Sequence, residues 1–190
     1  MENWDWKQLI LVAVLVVLLV ALRKLGSKRG SESRAARMMK KYNHMTREVF
    51  DAIPAGERVD AVISRVLARA EELNRPDPVQ ALGELGNGST VVYCVWAVCR
   101  ELAAGDAAAL LASPTAAIAD LAAESFRAVG APGCGDAFAA LLAQPREDAA
   151  ALQAAEQALR QALETECPLS LCEEYIADHA DEFIDETEKN

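Results

Sequence analysis

The chain has 190 residues, 52% of them apolar, with a mean hydropathy of +0.06 and a formal net charge of −10. The charge is segregated: residues 1–22 carry Lys7 against Glu2 and Asp5, residues 23–47 carry nine Lys or Arg against Glu32, and residues 48–190 carry nine against 26 Asp or Glu. A basic patch beside an apolar run points to a membrane contact, and the acidic remainder argues against direct DNA or RNA binding by the main domain.

The first element is Leu9 to Leu22, 14 consecutive apolar residues. As a helix these span only ~21 Å against a hydrocarbon core of ~30 Å. The flanks close the gap, because Trp4 and Trp6 suit the headgroup belt and Lys7, Arg23 and Lys24 can snorkel, which extends the segment to about Trp4–Leu25. A cleaved signal peptide fits poorly, since ENWDWK has no positive excess and no small-residue cleavage site follows the run. The expectation is therefore a single transmembrane anchor over 1–25. Positive charge lies after the run, so the N-terminus is expected outside and residues 23–190 in the cytoplasm, in a bacterial inner membrane. Lipid contacts are expected at Trp4, Trp6, Arg23, Lys24, Lys28 and Arg29.

Residues 26–53 form the next unit. Gly26, Ser27, Gly30, Ser31 and Ser33 make a flexible spacer, and Met38, Tyr42, Met45, Val49 and Ile53 then recur as on an amphipathic helix that stops at Pro54. The acidic domain, 54–190, has no two-residue alternation and is expected to be all-α, bringing the total to about eight helices. The expected segments are 57–74, a short piece capped by Asp77, 89–104, 106–112, 114–129, 136–143, 146–164 and 170–186. Ser170 with Glu173 forms a capping box for the last. Between residues 101 and 165 there are 24 Ala and four β-branched residues, which favours close helix packing.

The chemistry inventory is sparse. The five cysteines lack a C-x-x-C pair and read as small core hydrophobes. His179 falls on the apolar face of the last segment with Cys172, Tyr175, Ile176 and Phe183, as a core histidine does. No phosphate loop, paired metal-ligand motif or nucleophile–base spacing is present, so no cofactor, no metal and no enzymatic activity are expected, an enzyme centred on His179 being the alternative. Acid dominates instead: residues 101–190 hold 18 Asp or Glu against four cations. Glu174, Asp178, Asp181 and Asp185 recur at helical spacing, with Glu182 beside them. A solvated, solubilising face explains such a pattern as well as a binding face does.

The stretch IADLAAESFRAVGAPGCGDAFAALL, Ile118 to Leu142, resembles the helix, AIGA-like turn and helix of the DNA-mimic protein C-terminal family, a bacterial domain. CEEYIADHADEFI, Cys172 to Ile184, is similar to its Tyr-Ile…His…Phe ending, and Leu85-Gly86-Asn87-Gly88-Ser89 to its Asn-Gly-Gly segment, with Ser89 replacing the second Gly and Val91 and Val92 following instead of aromatic and amide residues. The resemblance implies an acidic, all-α, dimeric fold with structural positions at Gly130, Tyr175, Ile176, His179 and Phe183, and a surface that presents DNA-like charge to a DNA-binding protein.

The expectation is a membrane-anchored, cytoplasm-facing protein. Its carboxylates Glu174, Asp178, Asp181, Glu182 and Asp185 would contact a basic or DNA-binding protein. B-DNA carries one charge per ~1.7 Å whereas one helical stripe carries one per ~5–6 Å, so mimicry needs several acidic helices or a homodimer. The competing expectation is a membrane-tethered structural or adaptor module with no nucleic-acid connection.

Overall fold

Every regular element of the computed structural model, which describes residues 33–75 and 77–185, is helical. The predicted anchor and its lipid-contact residues Trp4, Trp6, Arg23, Lys24, Lys28 and Arg29 lie outside the described residues; among those described, no helix is long and apolar enough to cross a membrane. The chain divides into two compact units, Met1–Arg37 and Met38–Asn190. Of the first, only 33–37 are described: Ser33 opens helix α1 (Arg34–Tyr42), its hydroxyl accepting from Ala36 N at 3.1 Å.

The second unit continues α1 from Met38 and adds α2 (Arg47–Asp51), α3 (Arg58–Glu72), a 3₁₀ turn (Pro78–Glu84), α4 (Asn87–Ala104), α5 (Ala107–Ala112), a second 3₁₀ turn (Pro114–Ile118), α6 (Ala119–Ala128), α7 (Pro132–Leu142), α8 (Ala149–Glu166), α9 (Pro168–Asp178) and a third 3₁₀ turn (Ala180–Phe183). The uncharged, β-branched run of α4 makes it the central helix. Val92, Cys94, Val95 and Val98 are fully buried, and α3, α5, α6 and α9 pack around it. Phe126 of α6 meets Phe138 of α7 edge-on at 6.1 Å, an arrangement suited to the aromatic quadrupole.

Local chemistry sets most boundaries. Asp77, Asp106, Ser113 and Asp148 each accept a backbone N–H two or three residues ahead. Gly130 adopts φ +89°, and the bonds Ala131 N to Phe126 O and Gly130 N to Arg127 O close α6 in a Schellman turn. Asn74, φ 51°, does the same for α3 through Arg75 N to Ala70 O.

Four expectations change. The single amphipathic helix through Ile53 is two helices, broken at Asn43–Thr46 because Thr46 caps a new one by accepting from Val49 N. Tyr42, Met45, Phe50 and Ile53 nonetheless join the main core. The helix expected over 114–129 starts as a 3₁₀ turn fixed by Ser113 and Pro114. Helix α7 starts at Pro132, four residues before the expected Asp136, because Glu166 from another helix satisfies its first amides. The helix expected over 170–186 starts at Pro168 and ends at Asp178.

Candidate acidic interaction surface

Helix α9 is entered through Cys167, whose left-handed backbone, φ 47°, ends α8 and turns the chain into Pro168. Pro168, Cys172 and Ile176 are buried, anchoring one face of the helix. Ser170 lies inside the helix, so the expected local capping box does not form. Glu173 instead reaches across the molecule: its carboxylate accepts from Gly56 N at 3.2 Å, Arg58 N at 3.2 Å and Val59 N at 2.9 Å, around the first turn of α3. Two of these donors, Arg58 N and Val59 N, are first-turn amides that α3 cannot satisfy itself, and they are met by a negative charge at the positive end of the helix dipole.

The same device recurs twice. Glu156 of α8 accepts from Ala107 N at 2.8 Å, at the start of α5, and is held by Arg160 Nε at 2.8 Å. Glu166 accepts from Gly133 N at 2.9 Å and Cys134 N at 2.7 Å, at the start of α7. Desolvation works to raise the Glu166 carboxyl, but the bonds from Cys134 and Gly133 outweigh it and hold the group below its ordinary range. One signal was present in the sequence: Glu166 ends a helix, where the dipole disfavours an acid, so its charge has to be compensated from elsewhere.

Beyond α9 the chain forms a strap. His179 and the 3₁₀ turn lead to Phe183, which is fully buried and meets the Tyr175 ring edge-on at 6.3 Å. Gly88, the second residue of α4, makes this close fit, because a Cβ there would lie 2.8 Å from the Phe183 ring and 3.0 Å from a Glu182 carboxylate oxygen. The stretches 85–89 and 172–184 therefore pack on one another. Buried Arg65 of α3 donates to Phe183 O at 2.6 Å and pairs with Asp185. Asp185 also accepts from Met45 N at 2.6 Å, while its own N–H donates to Met45 O at 2.8 Å. Arg47 pairs with Asp181. Burial lowers the Arg65 pKa and Asp185 partly restores it.

Asp181 and Asp185, expected to continue a helical stripe from Glu174 and Asp178, thus lie past the end of the helix and are tied to arginines of the same chain. The α-helix stops at Asp178, with His179 at its C-cap, so the helical stacking is lost. Glu174, Asp178 and Glu182 are exposed, and among the described residues no cation pairs with them. Sequence reasoning missed Arg47 and Arg65 as partners, although a basic residue between Val62 and Val66, within the buried run of α3, signals a buried acid.

Two further expectations are corrected. His179 is exposed, not in the core: its ring stacks on Tyr175 with centroids 4.2 Å apart, and Nδ1 lies 2.9 Å from Tyr175 O. The helix ends before the residue can turn inward. Among the cysteines, Cys94, Cys134 and Cys172 are buried and Cys99 partly so, but Cys167 is exposed because it occupies the corner between α8 and α9. Desolvation pushes the Cys94 thiol up to about 11 and those of Cys99 and Cys172 to about 12, keeping them protonated at neutral pH. Among the described residues no group of three His, Cys, Asp or Glu is placed to hold a metal ion.

Among the described residues beyond α4, the cations Arg127, Arg146 and Arg160 are used within the fold. Arg127 pairs with Glu124 and Asp136, Arg160 with Glu156 and the Gly105 carbonyl, and Arg146 lies 3.5 Å from Leu111 O. What is left unpaired among the described residues of this half is negative charge, and the chain matches no known family, no curated protein and no solved structure.

Proposed function

We propose that this is a membrane-anchored, cytoplasm-facing interaction protein whose acidic domain captures a basic or DNA-binding protein by charge mimicry. One observation carries the reading: Arg127 and Arg160 are paired internally, while Glu174, Asp178 and Glu182 stand exposed without a cation partner among the described residues. The field that these carboxylates present to a partner is negative and is carried on a helical scaffold, which favours steering and selection of basic surfaces. The contact set narrows to Glu174, Asp178 and Glu182, since Asp181 and Asp185 are engaged with Arg47 and Arg65. Three charges are too sparse for a DNA-like surface, so the reading includes a homodimer that places two such surfaces side by side. Anchoring rests on the apolar run Leu9–Leu22 and the basic residues that follow it.

The alternative, a membrane-tethered structural or adaptor module, draws support from Glu156, Glu166, Glu173 and Asp185, whose charge serves the fold itself. The two separate on one experiment. The E174Q/D178N/E182Q variant of the full chain keeps its fold under either reading, because exposed carboxylates contribute little to stability. Under charge mimicry, wild type binds basic DNA-binding proteins from the same cells, loses them at high salt or to competing duplex DNA, and the variant binds several-fold more weakly with a shallower salt dependence. Equal binding and equal salt dependence by the variant would leave only the structural module.

A further inference from the structure

The five cysteines share no close sequence motif, yet the fold gathers four of them. Cys99 lies on α4, Cys134 on α7, Cys167 at the corner between α8 and α9, and Cys172 on α9. Burial is the first cause that raises the Cys134 and Cys172 thiols, and neighbouring sulfurs add to it: Cys99 and Cys167 act on Cys134, and Cys99 acts on Cys172. A cavity of about 280 Å³ lies beside this group, with Leu163 of α8 and Pro168 and Leu169 of α9 among its walls. Two of the four thiols, Cys99 and Cys167, line it. Cys167 is exposed and its Sγ donates to Glu164 O at 3.4 Å, while Cys99 is partly exposed. Cys134 and Cys172 are buried, and the Cys134 thiol donates to the Glu166 carboxylate.

We propose that Cys167 and Cys99 form a peroxide-sensitive dithiol, in which Cys167 takes the oxidation and Cys99 resolves it as a disulfide within the chain. In the first step the Cys167 sulfur, as thiolate, attacks one oxygen of hydrogen peroxide. The O–O bond breaks, the departing hydroxide leaves as water with the thiol's proton, and Cys167 becomes a sulfenic acid. In the second step the Cys99 sulfur attacks the Cys167 sulfur; the S–O bond breaks and the hydroxyl leaves with the Cys99 proton as a second water. The two thiols lose two electrons and the peroxide gains them. Access decides the order, because Cys167 is exposed to solvent and the cavity has room for peroxide beside it, a water-sized molecule taking only ~30 Å³. Burial pushes the Cys99 thiol up to about 12, so it stays protonated and acts only once an oxidised sulfur stands next to it, which makes the second step the slower one. Packing of α9 against α4 brings the two thiols to one cavity, whereas Cys134 is off its lining and has its proton engaged by Glu166. The proposal stands apart from anchoring and charge mimicry, since all of its residues lie in the second compact unit.

The test treats the purified, reduced full chain with hydrogen peroxide, with and without dimedone to trap sulfenic acid. Remaining thiols are then alkylated, and fragmentation mass spectrometry assigns the state of each cysteine. The expected product is a Cys99–Cys167 disulfide within one chain, reversed by dithiothreitol, with Cys94, Cys134 and Cys172 alkylated. Cys99→Ala is expected to stop at the sulfenic acid and to raise the dimedone adduct on Cys167 several-fold, and Cys167→Ser to leave Cys99 reduced over the same time. Circular dichroism checks that both variants are folded, and the wild-type map decides the pairing whether or not they are. A Cys167 that stays reduced, a wild-type Cys167 that passes from sulfenic to sulfinic acid without a disulfide, a bond from Cys167 to Cys134 or Cys172, or a bond between two chains would overturn the proposal.

Discussion

Glu173 and Glu174 are neighbours in sequence and opposites in role. Glu173 turns inward and holds three amides at the start of α3, whereas Glu174 faces solvent with no ion-pair partner among the described residues. The contrast extends along the C-terminal half: Glu156, Glu166 and Asp185 are bound to backbone N–H groups, while Asp178 and Glu182 are exposed. Acidity in this protein is thus two things. One part accepts from backbone amides that local residues leave open, and the other sets the external field, so net charge alone overstates the surface available to a partner.

The comparison breaks most visibly at the strap. Asp185→Ala leaves Arg65 buried with its charge uncompensated and frees Met45 N, and a loss of about 3 kcal/mol is expected from denaturant unfolding of the full chain. A loss below ~1 kcal/mol would show that water replaces the carboxylate and that the strap is not a structural tie. Asp178→Ala, on the outer face, serves as the control and should stay within about 0.5 kcal/mol of wild type.

The adjacent pair gives the next contrast. Glu173→Ala is expected to cost about 2 kcal/mol, because it strips the N-terminal amides of α3 of their acceptor, while Glu174→Ala costs about 0.5 kcal/mol or less. Equal costs would end the distinction between inward and outward carboxylates. Glu173→Gln separates charge from hydrogen bonding: its amide oxygen still accepts, so it should recover part of the loss.

The smallest effect is a pH dependence. Glu166 has a folded-state pKa below its unfolded value, so the stability it contributes is present above the ordinary carboxylate range and is lost as pH falls through the depressed folded value. Glu166→Gln should flatten the acid limb of the stability curve below pH ~4.3 and leave its slope at neutral pH unchanged. An unaltered acid limb would mean that the Gly133 and Cys134 amides do not distinguish the charged from the neutral carboxyl.

Much of the fold was legible because its signals are local. Helix α3 was readable from the spacing of Val59, Ile63, Val66 and Ala70, α5 from Asp106, and the end of α6 from Gly130; in each case a few adjacent residues carry the cap or the apolar face. The break at Asn43–Thr46 and the early start of α7 were not legible. Continuous periodicity hid the first, and the second depends on an acceptor 32 or 33 residues away in sequence.

The sequence by itself determined that the domain following the basic stretch is all-α, that the segment of α4 is its most apolar helix and that the C-terminal half carries surplus acid, because propensity, periodicity and net charge are sums over neighbouring residues. Only the tertiary structure decided which acids are available. Glu173 lies 114 residues from Val59, and Asp185 lies 120 residues from Arg65. Such pairs form when packing brings a carboxylate to an amide or guanidinium that water no longer reaches, and no local pattern records which of two adjacent glutamates will be the one turned inward.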